Sequence, residues 1–243
     1  MGMYKYEFHA HCMECSKCAA SPAVDIVQSF YDGGYAGMVF TDHCCCGYSA
    51  VPAEWSWEDR VKKYYDTYLK AKAYGDTLDF DVHFGWEHYV GRGKEILTYG
   101  IDLDFLLQNP DIPDLSVEEY CERVHVYGGY VAQAHPYRMR PDIDDTLQPF
   151  IHCLDGIEVY NAANGPCQNA KALLLAVAHP ELGCLSGADC HRVGEKVGAA
   201  GLMFDHRLKT SAELVAALKA GEGKLIADGR EIESIDDFLL TNP

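Results

Sequence analysis

Two histidines separated by one residue, His9 and His11, follow an apolar run near the start of the chain. Side chains two positions apart on a β-strand point to the same face of the sheet, so both imidazoles can bind one cation. Further histidines and carboxylates follow later apolar runs. The candidate ligands are His9, His11, His43, Glu87, His135, Asp189 and His191. This repetition predicts a metal site.

The donor set indicates more than one metal ion. A catalytic zinc ion takes three protein ligands and keeps one position for water, so seven ligands are too many for one such ion. They fit two or three clustered divalent cations with a bridging carboxylate. Imidazole combined with carboxylate favours zinc, iron or manganese over magnesium and calcium, which prefer oxygen ligands.

Alternating strands and helices must position these ligands. The sequence predicts strands over 4–8, 37–40, 80–85, 96–100, 130–134, 154–159 and 183–186, and helices over 22–31, 54–74, 116–127, 168–178 and 211–220. Such alternation is typical of parallel βαβ units, and barrels built from them carry functional residues at the carboxyl ends of the strands. Each candidate ligand falls at such an end. We therefore expect an α/β barrel in which residues 1–243 form a single domain with the metal site at that face.

Composition narrows the functional classes. With a formal net charge of −17, the chain does not have the basic character of an extended nucleic-acid groove, so we expect no stable complex with nucleic acid. No apolar run approaches the ~20 residues of a membrane span, and the N-terminus has no signal-peptide pattern. These features predict no membrane association and a cytoplasmic location. The sequence carries no signal for the oligomeric state.

The order of the motifs resembles a known family, the PHP (polymerase and histidinol phosphatase) superfamily. The resemblance extends from Phe8 to about Arg192 and rests on His-x-His at 9–11, Thr-Asp-His at 41–43, Gly-x-Glu at 85–87, Ala-His-Pro at 134–136 and Gly-x-Asp-x-His at 187–191. It implies a distorted seven-stranded (β/α) barrel with a trinuclear metal centre that hydrolyses phosphoesters. It also implies three groups of ligands: His9, His11, Glu87 and Asp189 for one metal, His43 and His191 for a second, and His135 with the bridging Glu87 for a third.

Two further ligands follow from the resemblance. Glu95 stands where members often have a histidine before the fourth strand, and as a hard oxygen donor it would shift the preference from zinc toward manganese or iron. Glu14 stands where members carry an acidic residue or histidine shortly after His-x-His. Cys15 and Cys18 compete with Glu14 for that role.

Basic side chains near these motifs are candidates for binding substrate phosphate. Arg138 and Arg192 follow the last two histidine motifs, and a planar guanidinium pairs well with phosphate oxygens. Family members that resemble this chain use an arginine at the position of Arg138 for this contact. Lys17 and Arg207 are further candidates.

The prediction is a metal-dependent phosphoesterase acting on a phosphomonoester or a small nucleotide or diester. A metal-activated hydroxide would attack phosphorus, Arg138 would orient the phosphoryl oxygens, and Asp189 or a ligating histidine such as His191 would steer protons. Histidinol phosphate is an alternative, more specific substrate. Two or three Zn, Mn or Fe ions would be the cofactors.

The eleven cysteines support a hypothesis of another class. Cys12, Cys15 and Cys18 have the spacing of an iron–sulfur or zinc loop, and residues 44–46 could complete a site if the two loops meet. The chain would then be an iron–sulfur or metal-sensing regulatory protein without hydrolase activity, and an iron–sulfur protein would be brown. Otherwise we expect these thiols to line the mouth of the metal pocket.

Overall fold

The computed structural model describes residues 2–140, 143 and 149–232. Within these residues it contains eleven β-strands, six α-helices and two short 3-10 helices (Ile112–Asp114 and Ile151–Cys153). In chain order the strands and α-helices are β1 (Tyr4–Ala10), α1 (Ala23–Asp32), β2 (Gly37–Phe40), β3 (His43–Cys44), α2 (Trp57–Thr77), β4 (Asp81–Gly91), β5 (Lys94–Tyr99), α3 (Leu103–Gln108), α4 (Val117–Tyr127), β6 (Tyr130–Gln133), β7 (Gly156–Asn161), α5 (Pro166–Ala178), β8 (Gly183–Gly187), β9 (Ala200–Phe204), α6 (Ser211–Ala220), β10 (Lys224–Ala227) and β11 (Arg230–Glu231).

All strands belong to one curled sheet in the order β11-β10-β9-β1-β2-β4-β5-β6-β7-β8, with β3 paired to β4 beside this path. The pairs β1–β2, β2–β4, β3–β4, β6–β7 and β7–β8 are parallel. The pairs made by β5 and β9 are antiparallel, as is β10–β11. The sheet curls until β8 meets β9 and β10: the Ser186 hydroxyl donates to the carbonyl of Ile226 at 2.5 Å and accepts from the Gly201 N–H at 3.1 Å.

The predicted α/β class is confirmed, whereas the count of seven strands is not. All seven predicted strands occur, as β1, β2 and β4 to β8. The described residues add β3 and the antiparallel group β9 to β11. The β4–β5 hairpin also replaces a parallel unit, because only the two residues 92–93 separate these strands and a parallel crossover needs a dozen or more. That residues 1–243 form one domain stays a prediction.

The ends of three helices differ in how far local sequence signals determine them. A capping box of Ser116 and Glu119 begins α4, with both reciprocal hydrogen bonds formed. Helix α1 was expected to begin at residue 22, but Pro22 is its N-cap and makes no side-chain capping bond. Helix α2 continues three residues past its expected end, to Thr77, and includes Gly75, where a Cβ would lie 2.7 Å from the carbonyl oxygen of Phe80.

Strand β1 separates the apolar core from the polar site by simple alternation. Tyr6 and Phe8 are fully buried in an apolar cluster with Leu214 and Leu218 of α6. His9, one residue further, points to the opposite face because successive strand side chains alternate. No helix in the described part of the chain combines the length and apolar character needed to cross a membrane.

Candidate metal centre

The predicted ligands meet at the carboxyl end of the parallel strands. The groups of donor atoms close enough to share an ion include all of the predicted ligands except Glu14, namely His9, His11, His43, Glu87, Glu95, His135, Asp189 and His191. All of these are buried apart from His191, whose side chain is 21% exposed. His191 therefore marks the open side of the cluster.

Glu87 lies at the centre of the cluster and contacts four imidazoles. Its Oε1 lies 3.3 Å from Nε2 of His9 and 3.0 Å from Nε2 of His135. Its Oε2 lies 2.8 Å from Nδ1 of His43 and 3.6 Å from Nε2 of His11. The two carboxylate oxygens thus face different histidine pairs, which is the geometry of a carboxylate that bridges two cations.

Asp189 joins the opposite side of the cluster to a guanidinium. Its Oδ1 lies 3.5 Å from Nε2 of His9 and 3.3 Å from Nε2 of His11. Nδ1 of His191 lies 3.6 Å from the same oxygen and 2.8 Å from the Asp189 carbonyl oxygen. The other carboxylate oxygen of Asp189 lies 2.5 Å from Nη2 of Arg138. Asp189 can therefore bind a cation through one oxygen while an arginine holds the other.

Two ligands have a backbone conformation that is unfavourable for residues other than glycine. The φ angles are +26° at His135 and +53° at Asp189. Such conformations cost energy and occur preferentially at functional sites, where the surrounding structure enforces them. Each residue lies two positions after the end of a strand, β6 or β8, and its side chain joins the cluster.

The two ligands taken from the family pattern have different positions. Glu95 lies in β5, with Oε1 3.2 Å from Nδ1 of His43 and Oε2 3.5 Å from Nε2 of His135. The structure therefore brings Glu95 into the cluster. Glu14 does not lie in any donor group of the described residues; its carboxylate accepts the N–H of Ala23 at 3.1 and 3.3 Å and caps α1.

Unpaired buried donors show that the cluster fits cations. Buried polar atoms nearly always have a hydrogen-bond partner, and leaving one without a partner costs free energy. Among the described residues, several buried ligand atoms form no well-aligned hydrogen bond, although they lie 2.8–3.6 Å from other ligand atoms: Nε2 of His9 and His11, Nδ1 of His43, Oε2 of Glu87 and both carboxylate oxygens of Glu95. Metal ions would satisfy all of them, and the imidazole and carboxylate donors suit zinc, iron or manganese.

The charge of the cluster leads to the same conclusion. Four carboxylates here are at most 2% exposed: Glu87, Glu95, Glu158 and Asp189. Arg138 contacts one of them, Asp189. Buried charges require compensation, and divalent cations would supply it.

The pKa values of the ligands depend on one another: despite burial, neighbouring carboxylates raise the pKa of His9 and His43 well above the usual value, whereas three other ligands shift toward the form that binds metal. Burial, together with the neighbouring His43, lowers the pKa of His11 well below its usual value, so the ring is neutral and can donate to a metal. Burial opposes ionisation of Asp189, but Arg138 and His9 hold the pKa of that carboxyl well below its usual range. The pKa of Glu87 is also lowered well below its usual value: burial alone would raise it, but the contacts with His9 and His43 lower it by more. Both carboxyls are thus ionised, as metal ligands must be.

Glu158 supports the ligands from behind. Its Oε1 lies 2.9 Å from Nδ1 of His9, and its Oε2 accepts the backbone N–H of His135 at 2.8 Å and the side-chain amide of Asn161 at 2.9 Å. A carboxylate behind a ligating imidazole fixes the ring and makes the other nitrogen a better donor.

Ser16 and Asp42 form a second support, which was not predicted from the sequence. The Ser16 hydroxyl donates to Oδ1 of Asp42 at 2.6 Å, accepts the N–H of His43 at 3.0 Å and lies 3.4 Å from Nδ1 of His11. Asp42 belongs to the Thr-Asp-His motif and could have been suspected, whereas no pattern marks Ser16.

The predicted cysteine loop only partly assembles. Cys12 and Cys15 are buried and form a donor group with Asp42, whose Oδ2 accepts the Cys12 thiol at 3.0 Å. Cys18 is exposed and lies outside that group. Cys44 and Cys45 place their sulfurs 2.7 Å apart. The described structure therefore does not bring the three loop cysteines together as an iron–sulfur site would need.

The candidate phosphate-binding residues also differ in position. Arg138 lies beside the cluster with its side chain 12% exposed, and it donates to the side-chain carbonyls of Asn161 at 2.9 Å and Asn164 at 3.0 Å. Arg192 is 64% exposed and lies 4.0 Å from Glu195. Lys17 is exposed and donates to the carbonyl of residue 47 at 3.1 Å. The structure thus places only the first of these three against a predicted ligand.

Comparisons with known proteins identify the fold. No family model matches the sequence, and no curated protein matches it. Similar solved structures include a two-domain protein from Bacteroides vulgatus containing a predicted PHP-like metal-dependent phosphoesterase (TM-score 0.67, 15% identity, 98% of this chain and 68% of that one). An amidohydrolase from Chromobacterium violaceum with bound sulfate has a TM-score of 0.58 at 16% identity over 87% of this chain and 96% of that one. The lesion-specific endonuclease PfuEndoQ from Pyrococcus furiosus has a TM-score of 0.64 at 14% identity over 99% of this chain and 66% of that one.

These likenesses define the class of fold. The chain has the curled α/β fold found in PHP-like proteins, as its motifs predicted. At 14–16% identity the likeness extends to the fold, and the activity has to be argued from the site.

Proposed function

We propose that this chain is a metal-dependent phosphoesterase that acts on a small phosphorylated substrate, with the distorted (β/α) barrel serving as the scaffold of the site. The observation that carries the proposal is the convergence of buried imidazole and carboxylate atoms that form no well-aligned hydrogen bonds among the described residues. The shared fold with a protein that contains a predicted PHP-like metal-dependent phosphoesterase supports it.

Two or three divalent ions, of Zn, Mn or Fe, would be held by three groups of donors in the cluster. The candidate groups are His9 with His11 and Asp189, His9 with Glu87 and His135, and His11 with His43 and His191. The groups overlap, and because Nδ1 of His9 contacts Glu158, Nε2 of His9 could bind only one of the ions. Ions bound there supply a water of lowered pKa and stabilise the negative charge that develops during phosphoryl transfer. Glu87 faces members of each group and would link the sites.

Arg138, Asp189 and His191 would perform the remaining tasks. The Arg138 guanidinium is fixed by two asparagine side chains and Asp189, so it can bind phosphoryl oxygens beside the cluster at little cost in conformational entropy. His191 is the most accessible imidazole of the cluster and is suited to exchange protons with solvent or a leaving group. Asp189 orients both of them. Lys17 and Arg192 lie further out and would contribute to attracting the phosphate.

The charge of the chain and its structural neighbours bear on the size of the substrate. The net charge of −17 favours a small phosphorylated compound over an extended nucleic acid. The endonuclease among the structural neighbours makes a phosphodiester the second candidate. Histidinol phosphate stays a specific alternative within the first class.

The test is hydrolysis by metal-free protein reconstituted separately with Zn, Mn and Fe. A phosphomonoester panel containing histidinol phosphate and a diester panel containing a short oligonucleotide would be compared. We expect turnover by the wild type, and loss of both bound metal and turnover in His9→Ala and Asp189→Ala. The exposed His152→Ala variant should retain both. Normal activity in His9→Ala would refute the mechanism, and no turnover with any metal would favour a regulatory protein.

A further inference from the structure

A thiol lies against the metal centre beside β3 and β5. The sulfur of Cys46, a ring nitrogen of His43 and a carboxylate oxygen of Glu95 all lie within 4.8 Å of one another. Nδ1 of His43 is 3.2 Å from Oε1 of Glu95. Zinc–sulfur and zinc–nitrogen bonds of about 2.3 and 2.0 Å place ligand atoms of a tetrahedral site about 3.3–3.6 Å apart. The three side chains are therefore close enough to share one ion after small adjustments.

The other two members of this group need a partner. Glu95 is 1% exposed, and neither of its carboxylate oxygens accepts a well-aligned hydrogen bond among the described residues. Nδ1 of His43, which is 6% exposed, likewise forms none, although it lies 2.8 Å from Oε2 of Glu87 and 3.2 Å from Oε1 of Glu95. Two buried side chains with unsatisfied atoms facing one thiol indicate a site built for a ligand.

The neighbouring cysteines do not offer the same geometry. The sulfurs of Cys44 and Cys45 contact each other at 2.7 Å and share no donor group with the histidines in the described part of the chain. Cys46 additionally lines a cleft of about 710 Å³ together with Lys17 and Arg60. A cation beside Cys46 would therefore face both the buried cluster and this cleft.

We propose that Cys46 binds metal as a thiolate and completes a cation site with His43 and Glu95. This inference rests on the proposed metal-dependent function and deepens it. On binding, the thiol proton passes to solvent as the sulfur–metal bond forms. A thiolate is a soft ligand and favours zinc over manganese, which prefers oxygen donors. Cys46 thus opposes the preference for manganese or iron that Glu95 alone would create.

Cobalt(II) reports on this proposal without any assay of hydrolysis. Metal-free protein would be titrated with Co²⁺ while the near-ultraviolet charge-transfer band of a thiolate–cobalt bond is recorded and bound cobalt is counted. We expect the band in the wild type and its loss in Cys46→Ser, with fewer ions retained per chain. Cys46→Asp should restore the number of ions without the band, which separates loss of a ligand from misfolding. The adjacent Cys45→Ser variant is the matched control and should keep both.

Two results would overturn the inference in different ways. An undiminished band in Cys46→Ser, or loss of the band in Cys18→Ser alone, would remove Cys46 from the ligands while leaving the metal centre in place. Cys18 is included because its thiol contacts the rings of His43 and His191. Failure of the wild type to bind any cobalt would overturn the metal centre itself and with it the proposed function.

Discussion

Replacing Glu158 by glutamine tests whether the cluster is a metal centre through a residue that does not bind the metal. Glu158 is 1% exposed, with Oε1 2.9 Å from Nδ1 of His9 and Oε2 accepting the N–H of His135. Glu158→Gln keeps the shape and removes the charge behind the His9 ring. Loss of such a partner costs about 10–100-fold in metal affinity. We therefore expect zinc to bind more weakly by this factor, or about 1.4–2.7 kcal/mol.

Affinity would be measured by competition with a zinc chelator, starting from metal-free protein. The matched control is Glu118→Gln, because Glu118 contacts His152 at the same distance of 2.9 Å but both side chains are more than half exposed. Thermal unfolding of the metal-free variants shows whether the substitution acts on the fold instead. Unchanged zinc affinity in Glu158→Gln, or an equal loss in Glu118→Gln, would refute the reasoning.

Three further predictions follow from the same geometry. In Gly187→Ala, the added Cβ would lie 2.4 Å from Cβ of His9 and 2.7 Å from Oε1 of Glu158, so bound metal measured by elemental analysis should fall. Glu14→Ala should lower the free energy of urea unfolding by about 0.5–2 kcal/mol through loss of the α1 cap, with metal content unchanged; loss of one ion per chain would instead identify a ligand. Burial lowers the pKa of His83 to about 4, below the unfolded value of about 6.5. The contribution of neutral His83 to the free energy of unfolding is therefore complete above pH 6.5 and is lost as the pH falls through 4. His83→Gln should remove up to about 3 kcal/mol of this acid sensitivity in urea titrations of metal-free protein, and identical pH profiles would contradict the assignment.

Most of the side chains that converge in the cluster could be selected from the sequence because their positions follow local rules. His9 and His11 share a face through strand alternation, and parallel neighbours bring His43 and Glu87 to the same edge, where their residues pair in register. Strand limits were less predictable. β4 continues to Gly91 instead of ending at Gly85, and Glu95 lies within β5 instead of before it. The antiparallel pairing of β4 with β5 extends both strands into the segment between the two expected strands.

Loop residues escaped prediction because contacts between distant segments set their positions. The loop after β1 is held against the loop after β3 by a bridge between Ser16 and Ser49 and by the Lys17 N–H, which donates to the carbonyl of Tyr48 at 2.7 Å. This contact places Ser16 behind the histidines. It also turns Glu14 toward α1, away from the cluster. Spacing along the chain contains no information on either outcome.

The net negative charge of the chain and the positions of its basic side chains affect which size of phosphorylated substrate can bind. Two or three bound divalent ions would reduce the net charge from −17 to about −13 or −11, which is still strongly acidic. A phosphorylated substrate would be repelled by the net charge of the chain and attracted near the cluster, where Arg138 lies and where Lys17 and Arg60 line the adjacent cleft. Because salt screens charges beyond about 8–10 Å, this local attraction outweighs distant repulsion for a small phosphate ester. A long polyanion would extend past the screened region and meet the acidic surface, so the charge distribution itself favours the small substrate.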